Sequence, residues 1–309
     1  MAKDIYEVLR YFSYFSYPPS KDEIYSFLKK RTSKSKFDSK LASLIKQKKL
    51  LKAGGMAFPK VKTSKYTLEE YGIFLKKNKK FNLYSQSKLK HTALYVKLLS
   101  FFPQMRFVGL SGTMSMMHAD KTDDIDFFII TAKNRLWIGR FIANILALLL
   151  GLKRKRLVQQ AKDKVCLNLF FDESNLTVPK RKQNEYVAHE ILQVKPLINR
   201  ELTYERFLQA NKWVFRLFPN AKTVFKNYIK PIPKHIKNSN HSLGDLLEGF
   251  LKRIQLSRIL KNKTTELITQ KQLWFFPQDF ETRIMRYNRK TKSRSGGTGR
   301  RARFRSVFP

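Results

Sequence analysis

Ser111-Gly112-Thr113-Met114-Ser115-Met116-Met117-His118-Ala119-Asp120-Lys121-Thr122-Asp123-Asp124-Ile125-Asp126-Phe127-Phe128-Ile129-Ile130-Thr131 is the stretch on which the fold turns. It closes on a strongly apolar strand with acids at its start. A short strand, Arg106 to Leu110, precedes it. Leu136 to Leu152 follows as an apolar helix and Val165 to Phe171 as a further strand, so strands alternate with helices in an α/β pattern.

Successive side chains of a strand point to opposite faces, so Asp124 and Asp126 share one face and Asp123 falls on the other, where exposure is expected. Two carboxylates so close repel unless a cation neutralises them. Hard oxygen donors at this spacing suit Mg²⁺, which favours carboxylates plus substrate phosphates. Upstream, Gly112 lets the backbone come close to a bulky ligand, and Thr113 adds a hydroxyl. The turn Ser111-Gly112-Thr113 is therefore the expected seat of phosphates facing a metal on Asp124 and Asp126, an arrangement suited to phosphoryl or nucleotidyl transfer. The same pattern is also met at solvated strand ends; the ordered combination of turn, short helix and acid pair favours the functional reading.

Outside this stretch, Ile5, Val8, Leu9 and Phe12 lie at helical spacing, and Tyr17-Pro18-Pro19 ends that helix. Ser20-Lys21-Asp22-Glu23 is a capping box that opens a second helix. Phe37, Leu41, Leu44 and Ile45 mark a third. Leu50 to Pro59, with Gly54-Gly55 at its centre, reads as a hairpin. Three short helices and a hairpin make a winged helix, open to two uses: nucleic-acid binding through the third helix, or packing. Thr67 to Lys79 and Ser87 to Phe102 read as two linking helices. Glu185 to Val194, Tyr204 to Leu217 and Ser242 to Leu260 read as helices of a C-terminal region.

The chain of 309 residues carries 63 Lys+Arg against 23 Asp+Glu, a formal net charge of +40. Such a field gathers polyanions, and nucleic acid is a possible partner of the basic surface; Lys spread over every solvated face is the other reading. One cysteine, Cys166, excludes an internal disulfide, fits a cytoplasmic setting and reads as a core residue. No signal-peptide pattern opens the chain. Arg140 and Asn144 interrupt Leu136 to Leu152, so a helix buried against a sheet is expected and stable membrane insertion is not. His118 and His189 lack metal-ligand spacing; His189-Glu190 and Trp213 read as structural.

Gly112-Thr113 with Asp124-Ile125-Asp126 resembles the signature of the DNA polymerase β-like nucleotidyltransferase superfamily, in which a Gly-Ser or Gly-Gly turn precedes an Asp-x-Asp strand. Tyr14-Phe15-Ser16-Tyr17-Pro18, Asn168, Asn211-Lys212-Trp213, Pro219-Asn220 and Phe276-Pro277-Gln278-Asp279 are similar to pieces of a bacterial group joining a winged helix to this core. The resemblance implies that Gly112 and Thr113, within the Ser111-Gly112-Thr113 turn, contact a nucleoside triphosphate. It implies that Asp124 and Asp126 bind two Mg²⁺ ions, and that a nucleoside monophosphate passes to an acceptor hydroxyl.

Three positions depart from the pattern. Thr113 replaces a Ser, and Met117 stands where a Gly is common. The third acid, which helps activate the attacking hydroxyl, falls near Asn168. Asn is no base at neutral pH. If the strand continues with regular alternation, Asp172 shares Asn168's face and is the expected substitute among the catalytic residues. A degenerate core acting as a nucleic-acid-binding regulator is the alternative.

The expected fold class is α+β: a small mixed-sheet nucleotidyltransferase core with an N-terminal winged helix and a C-terminal helical region. The expected domains are a winged helix over 1–62, linking helices over 63–104, the core over 105–178, a helical domain over 179–288 and a disordered basic tail over 289–309.

Overall fold

A computed structural model of the chain describes residues 1–53, 56–59, 68–154, 161–228, 243–261, 266–275, 281–284 and 286. The Gly54-Gly55 turn, the Phe276-Pro277-Gln278-Asp279 piece and the basic tail lie outside the described residues.

The N-terminal region is built from α1 (Ala2–Tyr14), α2 (Lys21–Ser26), α3 (Lys34–Lys46) and the antiparallel pair β1 (Leu50–Ala53) and β2 (Met56–Pro59). Ile5, Val8, Leu9 and Phe12 form the buried stripe of α1. The capping box is formed: the Glu23 amide donates to Ser20 Oγ at 3.2 Å, and the Ser20 amide to Glu23 Oε2 at 2.7 Å.

The expected pair of linking helices is one helix, α4 (Leu68–Leu99). No Gly or Pro interrupts residues 80–86, so a break in apolar spacing there does not become a break in the backbone. Next come β3 (Met105–Leu110), α5 (Gly112–Ser115), β4 (Ile125–Thr131), α6 (Leu136–Leu149) and β5 (Val165–Asp172). The chain continues through α7 (Glu185–Gln193), β6 (Lys195–Asn199), α8 (Thr203–Ala210), α9 (Val214–Leu217), α10 (Ala221–Val224), α11 (Leu243–Leu260), β7 (Leu267–Ile268) and β8 (Gln272–Trp274). Region 179–288 is thus not purely helical. It returns strands to both edges of one six-stranded sheet, ordered β6-β3-β4-β5-β8-β7. β4 and β5 are parallel and the other pairs antiparallel, so the protein is a mixed α/β fold.

Each face of the sheet carries its own core. Phe107, Phe128, Ile130 and Phe171 pack with α7, α8 and the N-terminal helices. Val108, Leu110, Phe127, Ile129 and Phe170 pack with α4, α6 and α11. α6 lies hard on β4, because a Cβ on Gly139 would meet Thr131 Cγ2 at 2.4 Å. Arg140 donates to Gln255 Oε1 on α11 at 2.6 Å. No described helix is long and apolar enough to cross a membrane.

The N-terminal helices share a core with α7. The His189 ring is stacked between Tyr11 (centroids 3.6 Å apart) and Phe27 (4.0 Å), and loss of hydration holds its pKa well below the usual range, so it packs as a neutral ring. Asn220 ties the same joint, with Nδ2 donating to the Leu28 and Lys30 carbonyls and Oδ1 accepting from the Thr32 amide. Asn211 pins the turn between α8 and α9 through the Val178 amide and the Leu176 carbonyl.

Candidate functional site

β3 and β4 deliver the turn and the acid pair to the same end of the sheet. The Ser111 amide donates to the Asp126 carbonyl at 3.0 Å, extending the ladder into the turn. Gly112 then takes φ +58°, the left-handed region. A Cβ there would lie 2.8 Å from Asp126 Oδ2, so only glycine lets the turn close on that carboxylate. Asp124 and Asp126 share a face, as their spacing requires.

β5 completes the cluster. Asp126 pairs with Cys166, and the register shifts between Phe127 and Phe128, where Asn168 is bulged. The shift turns Asn168 toward Asp126, to which its Nδ2 donates. Cys166 Sγ donates to Asn168 Oδ1 at 2.9 Å. One oxygen of Asp124, one of Asp126 and Cys166 Sγ all lie within 4.8 Å of one another. Arg154 reaches over the group, its Nη1 lying 2.6 Å from Asp124 Oδ2 and 3.6 Å from Cys166 Sγ.

Glu190, on α7, stands on the other side of the turn and accepts from the Gly112 amide at 3.3 Å. Loss of hydration, then Asp124, then Glu190 push the Asp126 carboxyl well above the usual carboxylate range. Loss of hydration raises Glu190 to about 7. Burial and the two aspartates also push the Cys166 thiol up. Behind the turn lies a cavity of about 30 Å³, bordered by Ser111, Phe128, Leu169, Tyr186 and Glu190. That is space for about two waters. Ser111 Oγ is buried there and has no hydrogen-bond partner among the described residues.

The remaining acids hold structure. Asp123 is not exposed: it is half-buried and closes the loop by accepting from Thr113 Oγ1 (3.1 Å) and the Asp120 amide (2.9 Å). The Thr113 hydroxyl is thus engaged within the loop. Lys88, 2% exposed, anchors the same loop from α4 through the Asp123 carbonyl (2.6 Å) and Asp163 (2.8 Å).

Asp172 does not join the pair, so its reading as the third acid is corrected. The parallel register sets it beside Thr131, six positions beyond Cys166 and so roughly 20 Å from the site. The bulge also breaks the alternation that linked it to Asn168. It faces the α11 side, where its charge acts on Glu248.

The structure therefore brings together Ser111, Gly112, Asp124 and Asp126, engages Thr113 in its own loop and excludes Asp172. It adds Cys166, Asn168, Arg154 and Glu190. Only the β4–β5 register sets Cys166 beside Asp126, which neither strand's own pattern shows, and nothing in the helical pattern of Glu185 to Val194 marked Glu190. Comparison of the chain with protein families, with curated proteins and with solved structures finds no match.

Proposed function

We propose that this protein transfers a nucleoside monophosphate from a nucleoside triphosphate to an acceptor hydroxyl, on the plan of the DNA polymerase β-like nucleotidyltransferases, with residues 1–62 as an appended winged helix. The observation that carries this reading is the closure of the Gly112 turn on the Asp126 carboxylate, with Asp124 beside it.

The donor set fits one divalent cation, Mg²⁺ being the natural choice for two hard carboxylates. It does not fit two: Asn168 stands where a third strand acid belongs, and Glu190 is turned to the Gly112 amide. The bound cation would neutralise phosphate charge at Asp124 and Asp126. In the transfer the acceptor oxygen bonds to the α-phosphorus as the bond to pyrophosphate breaks. The acceptor's proton leaves to solvent. Gly112 keeps the turn close, and the net charge of +40 draws the anionic substrate in.

The test is triphosphate binding to the full chain with Mg²⁺, followed by calorimetry. Native protein is expected to bind, and Asp124→Ala with Asp126→Ala to lose binding at least about 100-fold, since two charge-assisted contacts go. Unchanged affinity in the double variant would remove the site assignment. A second reading, a degenerate core serving as a nucleic-acid-binding regulator, draws on Asn168 and on the Arg154 ion pair with Asp124. It requires salt-sensitive nucleic-acid binding that survives loss of both aspartates; no binding at low salt excludes it.

A further inference from the structure

We infer that the cation at the Asp124–Asp126 pair takes Cys166 as its third ligand, making one mixed oxygen–sulfur site that favours zinc- or cobalt-like ions over magnesium. This rests on the reading above that the pair holds a cation, and it replaces the magnesium that the two carboxylates alone would select.

Three observations carry it. Cys166 is the direct register partner of Asp126, so its side chain emerges on the same face one strand away. Its Sγ lies within 4.8 Å of a carboxylate oxygen of each aspartate, a span that one ion bridges. A positive charge already rests on two of these donors: the Arg154 guanidinium touches both Asp124 Oδ2 and Cys166 Sγ. Arg154 therefore acts as the cation the chain supplies to itself, and an incoming ion takes its place. The position where a hard third carboxylate would select magnesium is held by Asn168, whose side chain bonds to both Asp126 and Cys166.

The chemistry follows from ligand softness. Thiolate binds zinc, cobalt and cadmium well, whereas magnesium demands oxygen donors in an octahedron. On coordination the Cys166 proton leaves to solvent, its electron pair enters the metal–sulfur bond, and Arg154 swings out to water. No electron is transferred.

The experiment is titration of the full, reduced chain with Co²⁺, read by absorption and calorimetry in excess Mg²⁺. One Co²⁺ per chain is expected, with a thiolate-to-cobalt charge-transfer band. Cys166→Ser should abolish the band and weaken Co²⁺ by at least about tenfold while leaving the fold intact by circular dichroism. Arg154→Gln should tighten Co²⁺ by about tenfold, because a competing charge is gone. Failure to bind Co²⁺, binding without the band, or a band that survives Cys166→Ser overturns the inference. Mg²⁺-dependent triphosphate binding, measured alongside, separates the two claims. If it persists without the cobalt band, only the sulfur ligand is refuted. If the band is present and no triphosphate binds, only the transferase reading is refuted.

Discussion

Asp126 and Asp172 lie on neighbouring strands of one sheet, at opposite ends of a parallel pair. Asp172 is fully buried and fully answered. It accepts from the Asn134 amide (2.7 Å), the Ser174 amide (2.9 Å) and Ser174 Oγ (2.5 Å), and pairs with Lys271 at 3.3 Å. Asp126 accepts from Asn168 Nδ2, has the Cys166 thiol beside it and faces two further acids, Asp124 and Glu190. The first arrangement spends its acid on holding a turn. The second sets Asp126 among like charges, with Arg154 on Asp124 as the cation that an incoming ion would displace. The difference separates a carboxylate that holds a turn from one set among like charges more sharply than sequence position does.

Removing Asp172 is the harshest way to test that contrast. Asp172→Ala strands the part-buried Asn134 and Ser174 amides, while Lys271 keeps Asn134 Oδ1 and solvent, so a loss of roughly 3–5 kcal/mol is expected in urea unfolding. Triphosphate affinity, measured at a temperature where the variant is folded, should stay at the native level. A stability loss under about 1 kcal/mol would mean the far end is not held by this carboxylate.

Next in size is the pH dependence carried by Glu190. Its folded pKa, about 7, lies above the ordinary 4.5, so the folded state binds the proton more tightly than the unfolded chain does. The stability it contributes is complete below pH 4.5 and is lost as pH rises through 7. That window is worth roughly 3 kcal/mol. His118, lowered to about 4 by burial, and His189, also lowered, act in the opposite sense: they cost stability as pH falls below 6.5. The native curve alone therefore mixes these contributions. The difference between native protein and Glu190→Gln isolates the glutamate, and the variant's relative stability should climb between pH 4.5 and 7. A flat difference would mean that Glu190 is already well hydrated.

Smaller again is the effect of neutralising Asp126. Asp126→Asn keeps the shape and removes the repulsion from Asp124 and Glu190, so stability at neutral pH should rise by roughly 1 kcal/mol while triphosphate and metal binding fall. The sign is the point: removing charge weakens the far end and strengthens the site end. Equal losses at both ends would erase the distinction.

The parts of this contrast that could be read in the sequence were those governed by strict local periodicity. Period-two alternation placed Asp124 and Asp126 on one face, and Gly112 before an apolar strand marked the turn. The rest depended on events without local signature. The bulge at Asn168 reset the alternation on β5 and put Asp172 on the opposite face from Asn168, while the parallel register, which sets Asp172 beside Thr131, makes it remote. Lys195-Pro196-Leu197-Ile198-Asn199 hides its strand character, since only Ile198 is buried and a proline sits at its second position. Gln272-Leu273-Trp274 is too short to show a period. Glu190 meets Gly112 only because α7 packs across the sheet, a contact between residues 78 apart.

Backbone strain gives the finest version of the comparison. At the far end the left-handed residue is Asn134 (φ +57°), a type that tolerates that conformation, and its Oδ1 also accepts from Lys271 at 2.5 Å. Beside the site the corresponding residue is Met117 (φ +53°), which has no such tolerance. Met117→Gly relieves about 1–2 kcal/mol of left-handed strain and costs about 0.5–1 kcal/mol in unfolded-chain entropy. A net gain of about 0.5 kcal/mol in urea unfolding is expected. Asn134→Gly gains no comparable relief and forfeits the Lys271 contact, so it should lose about 1 kcal/mol. Opposite signs at two residues of nearly equal φ would locate the stored strain at the site end. If both variants shifted stability in the same direction, side-chain packing rather than backbone strain would govern Met117, and the glycine that the resemblance leads one to expect there would need another cause.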